Sequence, residues 1–330
     1  MKMPLSLSVR SESWPIAGSF SISRGVKTEA VVVCAEISDG RFRGRGECVP
    51  YARYEETVGS VIAALGGMGN ALAKGLDRAG LQREMPAGAA RNALDCAFWD
   101  LEAKRAGRPV SELAGLPSPH ALTTAYTISL GALETMAEAA GKAAGRPLLK
   151  VKLGGKDGDP ERIRAVRKAA PQSQLIVDAN EGWTASNLET NLAACAAVGV
   201  TLIEQPLPAD NDAALGAIKR PIAVCADESV LDRASLQNLV GRYDAVNIKL
   251  DKTGGLTEAL AMVDEAQRLG FDIMVGCMVA TSLSMAPAVL LAQRALVVDL
   301  DGPLLLAKDR PEGLRYDGSL VHPPTAALWG

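Results

Sequence analysis

The chain has 330 residues, of which 48% are hydrophobic and 22% are charged, a composition that excludes disordered, collagen-like and coiled-coil chains. Its length suits a barrel with a modest second domain. The 35 basic and 38 acidic residues give a net charge of −3. Because no basic excess is present to neutralise phosphates, we expect no nucleic-acid partner.

Residues 1–120 predict an α+β domain that caps the rest of the chain, because strand signals come first and helical signals follow. Antiparallel strands are predicted at 9–14, 20–22, 28–37 and 41–47, with a turn at Asp39 and Gly40. A long amphipathic helix is predicted at 89–105. Residues 14–27 and 47–54 are interpreted as surface loops, and the alternative for 47–54 is that it covers the mouth of a barrel.

Residues 121–302 repeat one pattern of short strand and helix. Eight apolar, β-branched runs lie at 124–129, 149–153, 174–178, 201–204, 222–227, 245–249, 271–276 and 295–301. The intervals between them carry helix signals, such as Asp159 as a cap before Pro160 and Thr257 as a cap before a second helix. Eight strands joined by seven helices predict an α/β fold, a TIM-like (β/α)7β barrel. The proline-rich segment 303–330 is expected to pack back on the first domain.

The cysteines and the apolar segments predict a cytoplasmic protein with no membrane partner. The six cysteines form no CxxC pair, which is typical of reduced, buried thiols. Arg10 precedes any apolar stretch long enough for a signal peptide. Residues 273–293 carry no charge and could span a bilayer, but they include Gly276 and Pro287, so we interpret them as a buried strand, a loop and a helix.

Three acidic residues end three consecutive strands of the predicted barrel. Asp178, Glu204 and Asp227 fall where active sites of such barrels lie, at the carboxyl ends of the strands. Each acid alone could cap a helix or pair with an arginine. Three in register would repel one another unless a cation neutralises them. Oxygen ligands of this kind favour Mg²⁺.

Lysines flank this acidic cluster on two strands. Lys150 and Lys152 share one face of the second strand, and burying both against the outer helices would be costly. Lys249 ends the sixth strand, which lies opposite the second in a ring of eight strands. Lys152 and Lys249 would therefore face each other, and lowered pKa values would let them act as bases. The alternative interpretation is a pair of structural ion pairs with the acids.

The barrel strands carry KVK, VDAN, IEQP, ADES, NIKLDKTGG and GCMVATSLSMAP, and the first domain carries ARNALDCAFWDLEAK. Together these motifs resemble the enolase superfamily, and within it the muconate-lactonizing subgroup, over nearly the whole chain. The resemblance implies one Mg²⁺ per active site, held by Asp178, Glu204 and Asp227, and an ene-diolate intermediate. It also implies that Lys152 and Lys249 are the acid/base pair and that Lys150 supports the substrate's carboxylate.

The subgroup includes several activities, and the end of the eighth strand distinguishes them. Asp299 and Asp301 share a face, and this DxD resembles the element with which dipeptide epimerases hold a free α-amino group. Arg24 in the first predicted loop resembles the arginine that meets an acidic second residue. The resemblance therefore implies a small dipeptide substrate, L-Ala-D/L-Glu, in cell-wall peptide recycling by a homo-oligomer. The alternatives are an N-acylamino-acid racemase, an o-succinylbenzoate synthase, or a non-catalytic ligand-binding barrel.

Overall fold

A three-stranded antiparallel sheet, a barrel sheet of eight parallel strands and a small C-terminal sheet build the protein in the computed structural model, which describes residues 4–155 and 157–330. The strands are β1 (Ser6–Ile22), β2 (Gly25–Ser38), β3 (Arg43–Cys48), β4 (Leu122–Thr123), β5 (Tyr126–Ile128), β6 (Leu148–Lys152), β7 (Gln174–Asp178), β8 (Val200–Glu204), β9 (Ala223–Ala226), β10 (Ala245–Ile248), β11 (Asp272–Gly276), β12 (Val297–Asp299), β13 (Tyr316–Asp317) and β14 (Leu320–Val321).

The α-helices lie in both parts of the chain. They are α1 (Val58–Gly67), α2 (Gly69–Ala73), α3 (Arg78–Glu84), α4 (Ala89–Ala106), α5 (Val110–Leu113), α6 (Leu133–Lys142), α7 (Asp159–Ala169), α8 (Leu188–Ala197), α9 (Arg233–Leu236), α10 (Leu250–Thr253), α11 (Leu256–Arg268), α12 (Ser282–Leu291) and α13 (Gly302–Leu305). Short 3₁₀ helices cover Ala52–Tyr54, Ala213–Gly216, Gln237–Leu239 and Ala292–Arg294.

Strands β5 to β12 form the barrel in sequence order. The two edges of the sheet meet through the amide of Ala125, which donates to the carbonyl of Val298 at 2.8 Å. The predicted (β/α)7β barrel with an antiparallel N-terminal domain is confirmed. Two crossovers are shorter than full helices, since only a 3₁₀ helix joins β8 to β9 and the four-residue α9 with a 3₁₀ helix joins β9 to β10. Pro206, Pro208 and Pro221 in the first of them disfavour a longer helix.

Two predicted helix caps are wrong. Asp159 is the first residue of α7 rather than its cap, and its buried carboxylate instead accepts hydrogen bonds from the amide of Gly154 and the indole of Trp183. Thr257 lies inside α11, and its hydroxyl donates to Asp95 of α4. In both cases the polar side chain makes a tertiary hydrogen bond instead of capping the helix.

Residues 14–27, predicted to be a loop, form a β-hairpin. Ile22 pairs with Gly25, so β1 and β2 are joined by a turn at Ser23 and Arg24. The hairpin reaches across to the barrel, where the hydroxyl of Ser23 donates to the carbonyl of Asn180 at 2.7 Å. The turn therefore lies over the carboxyl ends of the barrel strands.

Close packing within the first domain and contacts from the C-terminal segment stabilise this part of the fold. A Cβ at Gly44 or Gly46 of β3 would clash with the backbone of α4, so glycine permits this approach. In the C-terminal segment, the indole of Trp329 donates to the carbonyl of Cys96 at 3.0 Å, and the amide of Ala307 donates to the carbonyl of Pro15 at 2.8 Å. The domain boundaries at residues 120 and 302 stay a prediction.

The uncharged segment 273–293 forms β11 and α12 inside the fold. Every residue of α12 is buried, since it packs as one of the outer helices of the barrel. Within the described residues, no helix has both the length and the apolar character needed to cross a membrane.

Candidate active site

A cavity of about 770 Å³ lies between the carboxyl ends of the barrel strands and the first domain. The barrel contributes charged side chains to its wall, among them Lys150, Lys152, Asp227, Lys249, Asp299 and Asp301. The first domain covers the other side with Phe20 and Arg24 of the hairpin and with Tyr51, Arg53 and Tyr54. Both segments interpreted as loops in the sequence therefore cover the mouth of the barrel.

Three carboxylates lie at one level of the barrel. Asp178 ends β7 and pairs in register with Glu204, which ends β8. Asp227 directly follows β9. All three are buried. The side-chain amide of Asn247 on β10 donates to Glu204 Oε1 at 2.7 Å, which fixes that carboxylate.

Lys150 and Lys152 of β6 both extend into this cluster. Lys150 Nζ lies 2.6 Å from Glu204 Oε2 and 2.7 Å from Asp299 Oδ2. Lys152 Nζ lies 2.5 Å from Asp178 Oδ2. Both lysines are buried, so the β6 lysines face the interior of the barrel and not the helix layer.

Lys249 approaches the cluster from the opposite wall. It directly follows β10, and three strands separate β10 from β6 in either direction around the barrel. Lys249 Nζ lies 2.6 Å from Asp227 Oδ2 and 3.8 Å from Glu204 Oε1. Burial lowers the pKa of Lys249, but the carboxylates of Asp227 and Glu204 outweigh burial and raise the pKa well above its usual value. The lowered pKa predicted for this lysine supposes a divalent cation beside it and stays a prediction.

The donor set fits a hard divalent cation. Three buried carboxylates from adjacent strands supply oxygen ligands, which suit Mg²⁺. Lysine ammonium groups lie between these acids, and among the described residues no three acidic, histidine or cysteine side chains stand in metal-binding geometry. Asp178, Glu204 and Asp227 are thus the residues that could hold a metal. Their carboxylates would then contact the ion in place of the lysine ammonium groups.

Asp299 and Asp301, the DxD pair, lie at the end of β12 and line the cavity. Asp301 Oδ2 accepts a hydrogen bond from the amide of Thr127 at 2.7 Å. Asp299 Oδ1 is buried and has no hydrogen-bond partner among the described residues. Burial, followed by the charge of Asp299, raises the pKa of Asp301 to about 7. Two neighbouring buried acids of this kind favour a cationic ligand group.

Arg24 reaches the cavity from the hairpin turn. Its Nη1 donates to the carbonyl of Asn180 at 2.9 Å and to Glu181 Oε2 at 3.1 Å, and its Nη2 donates to Glu228 Oε1 at 2.6 Å. The structure therefore brings Arg24 to the predicted site but pairs it with protein carboxylates. We call Arg24, Tyr51, Arg53, Glu181 and Glu228 the rim cluster.

Two family descriptions match this chain and divide it in the same order as the fold. Residues 5–115 match the mandelate racemase / muconate lactonizing enzyme N-terminal domain, and residues 132–327 match the enolase C-terminal domain-like family. The chain belongs to the enolase superfamily. The resemblance read from the strand-end motifs is confirmed.

Similar members of the superfamily include epimerases and racemases. The L-Ala-D/L-Glu epimerase of Escherichia coli is 46% identical, over 94% of this chain and 97% of that protein. The N-acetyl-D-glutamate racemase of a Pseudoalteromonas species is also 46% identical, over 91% and 95%. The relatives' names thus include both a dipeptide epimerase and an N-acyl racemase.

Solved structures of the superfamily share this fold closely. An enolase family member from Agrobacterium tumefaciens, with homology to dipeptide epimerases and with bound sodium and L-Ala-L-Glu, superposes with a TM-score of 0.97 at 56% identity, covering 99% of this chain and 100% of that one. A dipeptide epimerase from Enterococcus faecalis, complexed with Mg and L-Leu-L-Tyr, gives a TM-score of 0.91 at 27% identity, covering 99% of each chain.

Several residues at the site were missed in the sequence. Lys252 Nζ donates to Asp227 Oδ1 at 2.6 Å, and Gln205 Oε1 accepts from the amide of Asp227 at 2.8 Å. Lys252 follows Lys249 by three residues, a helical spacing that could have revealed it. Glu181 pairs with Arg53, which is far away in the sequence, so no local pattern could have identified this contact.

The backbone is strained beside two of the acids. Asn180, Glu181 and Gln205 adopt φ values of +44°, +65° and +35°, a region that residues other than glycine seldom occupy. These bends follow β7 and β8 directly. The Glu181 side chain contacts Arg24 and Arg53, and the Gln205 side chain contacts the amide of Asp227. The strain therefore coincides with the candidate site.

Proposed function

We propose that this enolase-superfamily chain is a Mg²⁺-dependent dipeptide epimerase that inverts the α-carbon of the second residue. Its substrates are L-Ala-L-Glu and L-Ala-D-Glu. The observation that carries the proposal is at Asp299, which lines the cavity with Asp301 and whose buried Oδ1 lacks a partner among the described residues. The free α-ammonium of a dipeptide supplies the cation that this pair favours.

Placing the ammonium at the DxD pair orients the rest of the dipeptide. The α-carbon of the second residue then lies between Lys152 on β6 and Lys249 directly after β10, on opposite walls of the barrel. One lysine takes the α-proton and the other returns a proton from the far face, so the configuration inverts. The reaction requires one lysine to be neutral and the other charged at the start, with the roles exchanged in the reverse direction.

The charge that develops on the substrate's carboxylate needs stabilisation. When bound at Asp178, Glu204 and Asp227, Mg²⁺ supplies positive charge to that carboxylate. Lys150 lies among the same acids, with its ammonium 3.1 Å from Asp178 Oδ2. Lys150 is therefore placed to donate a hydrogen bond to a bound carboxylate, and its burial strengthens that interaction.

N-acylamino-acid racemisation is the second candidate, and the 46% identity to an N-acetyl-D-glutamate racemase favours it. The same lysines and acids would serve both reactions. An N-acyl group carries no positive charge, however, and would leave Asp299 Oδ1 without a charged donor. This physical difference favours the dipeptide.

The cellular setting of the enzyme follows from its proposed substrate. L-Ala-Glu dipeptides are fragments of cell-wall peptides, so we place the enzyme in their recycling, in the cytoplasm, as a homo-oligomer. The six cysteines are free thiols, which accords with a reducing compartment.

The decisive experiment compares two substrates that share the glutamate. Wild-type enzyme with Mg²⁺ is incubated with L-Ala-L-Glu or with N-acetyl-L-glutamate, and inversion is followed by polarimetry. We expect kcat/KM for the dipeptide to exceed that for the N-acetyl compound about a hundredfold, because a buried charge pair is lost in the latter. A preference for N-acetyl-L-glutamate would contradict the dipeptide assignment.

A further inference from the structure

We infer that Arg53 is a second specificity-determining residue, and that it acts with Arg24 to recognise the acidic side chain of the substrate's second residue. This inference rests on the proposed function. Both arginines line the cavity from the first domain, Arg24 on the hairpin turn and Arg53 in the 3₁₀ helix at Ala52–Tyr54. They lie on different segments, so each can be changed separately.

Arg24 has few donors left for a substrate. A guanidinium has five N–H groups, and Arg24 uses four of them. Its Nη1 donates to the carbonyl of Asn180 and to Glu181, and its Nη2 donates to Glu228 and, at 3.3 Å, to the hydroxyl of Tyr51. Only the Nε hydrogen has no acceptor among the described residues. Arg24 therefore cannot bind a carboxylate through two N–H groups without losing a contact that it already makes.

Arg53 has the donors that Arg24 lacks. Its Nε and Nη2 each donate to an oxygen of Glu181 at 2.8 Å. Both hydrogens of Nη1 and one of Nη2 have no acceptor among the described residues. The Arg53 side chain is 36% exposed. Arg53 can thus donate two N–H groups to a second carboxylate while it keeps its hydrogen bonds to Glu181.

Glu181 holds the two arginines in one place. Its Oε2 accepts hydrogen bonds from both Arg24 and Arg53, and its Oε1 also accepts from the amide of Ala209 at 2.9 Å. Within the described residues, Glu181 is not part of the cavity wall. A carboxylate behind the wall therefore orients two arginines that line the cavity, an arrangement that suits a second carboxylate on the cavity side.

The arrangement distinguishes glutamate from glutamine in the substrate. The two side chains have nearly the same shape, so they differ only in charge and in the number of hydrogen-bond acceptors. Charge-assisted hydrogen bonds are about twice as strong as neutral ones. L-Ala-L-Glu and L-Ala-L-Gln are therefore matched probes of the arginine pair.

The test measures kcat and KM for both dipeptides with wild type, Arg53→Met and Arg53→Lys. We expect Arg53→Met to raise KM for L-Ala-L-Glu about tenfold with little change in kcat, since binding before and during the reaction is lost equally. KM for L-Ala-L-Gln should change less than about twofold, and Arg53→Lys should restore part of the loss because it keeps the charge.

Arg43→Met is the matched control, because Arg43 lies on β3 with its side chain 74% exposed and does not line the cavity. It should leave both substrates unchanged. Equal losses for both dipeptides in Arg53→Met, or no loss for either, would overturn the role of Arg53. Failure of the wild type to invert any dipeptide would instead overturn the proposed function, and the inference with it.

Discussion

The floor and the rim of the cavity are built in different ways. The floor consists of Lys150, Lys152, Asp178, Glu204 and Lys249, which lie on or directly after barrel strands and are buried. The rim consists of side chains from a hairpin turn and loops, and Arg24 and Arg53 there are partly exposed, at 27% and 36%. On the proposed function, the chemistry and the binding of the ammonium at the DxD pair depend on the rigid barrel, whereas recognition of the second residue's side chain depends on segments that can change without disturbing the barrel.

The largest effect is expected from removing one charge on the floor. Glu204→Gln should lower kcat about a thousandfold or more, because the substrate's developing charge loses the cation that stabilises it. The circular dichroism spectrum should stay that of the wild type. Glu189→Gln on the exposed start of α8 is the matched control and should be fully active. Full activity of Glu204→Gln would contradict the assignment of the chemistry to the floor of the cavity.

A smaller, selective effect is expected at the DxD pair. Asp301→Asn should lower kcat/KM for L-Ala-L-Glu about a hundredfold, because the ammonium loses a charged partner in a buried place. Turnover of N-acetyl-L-glutamate should fall much less. Asp317→Asn, an exposed position on β13, serves as the control. Equal losses on the two substrates would show that Asp301 supports the barrel and not the ammonium.

The smallest effect is expected at the rim. Arg24→Met should lower kcat/KM for L-Ala-L-Glu about tenfold and should largely spare L-Ala-L-Met. The kcat/KM values for the two dipeptides are obtained from initial rates at several substrate concentrations. A loss of activity as large as that of Glu204→Gln, on both dipeptides, would mean that the rim takes part in the chemistry as well.

The same division decides what could be predicted from the sequence. The period-two pattern and the acids at strand ends predict the floor, and β7 (Gln174–Asp178) has the predicted bounds. Each acid is expected at the carboxyl end of its strand, so the spacing of the strands along the chain is enough to predict that the acids lie together. The segment 14–27 is predicted as a loop, whereas it forms a hairpin with its turn at Ser23 and Arg24.

Contacts between distant segments could not be predicted. Glu181 meets Arg24 and Arg53 from a different domain, and no periodicity links these positions. Asp159 and Thr257 have the right residue types for helix caps, yet their side chains make tertiary hydrogen bonds instead. Local propensity gave the elements, and packing then chose the partners of their polar groups.

The central claim is that Lys152 and Lys249 serve opposite faces of one α-carbon, and isotope exchange in deuterated water tests it most directly. Lys152→Ala and Lys249→Ala are each incubated with Mg²⁺ and either L-Ala-L-Glu or L-Ala-D-Glu, and mass spectrometry follows deuterium at the α-carbon. We predict that neither variant inverts the substrate, and that each exchanges the proton of one epimer only, the two variants acting on opposite epimers. Inversion at near the wild-type rate by either variant, or exchange of the same epimer by both, would contradict the account.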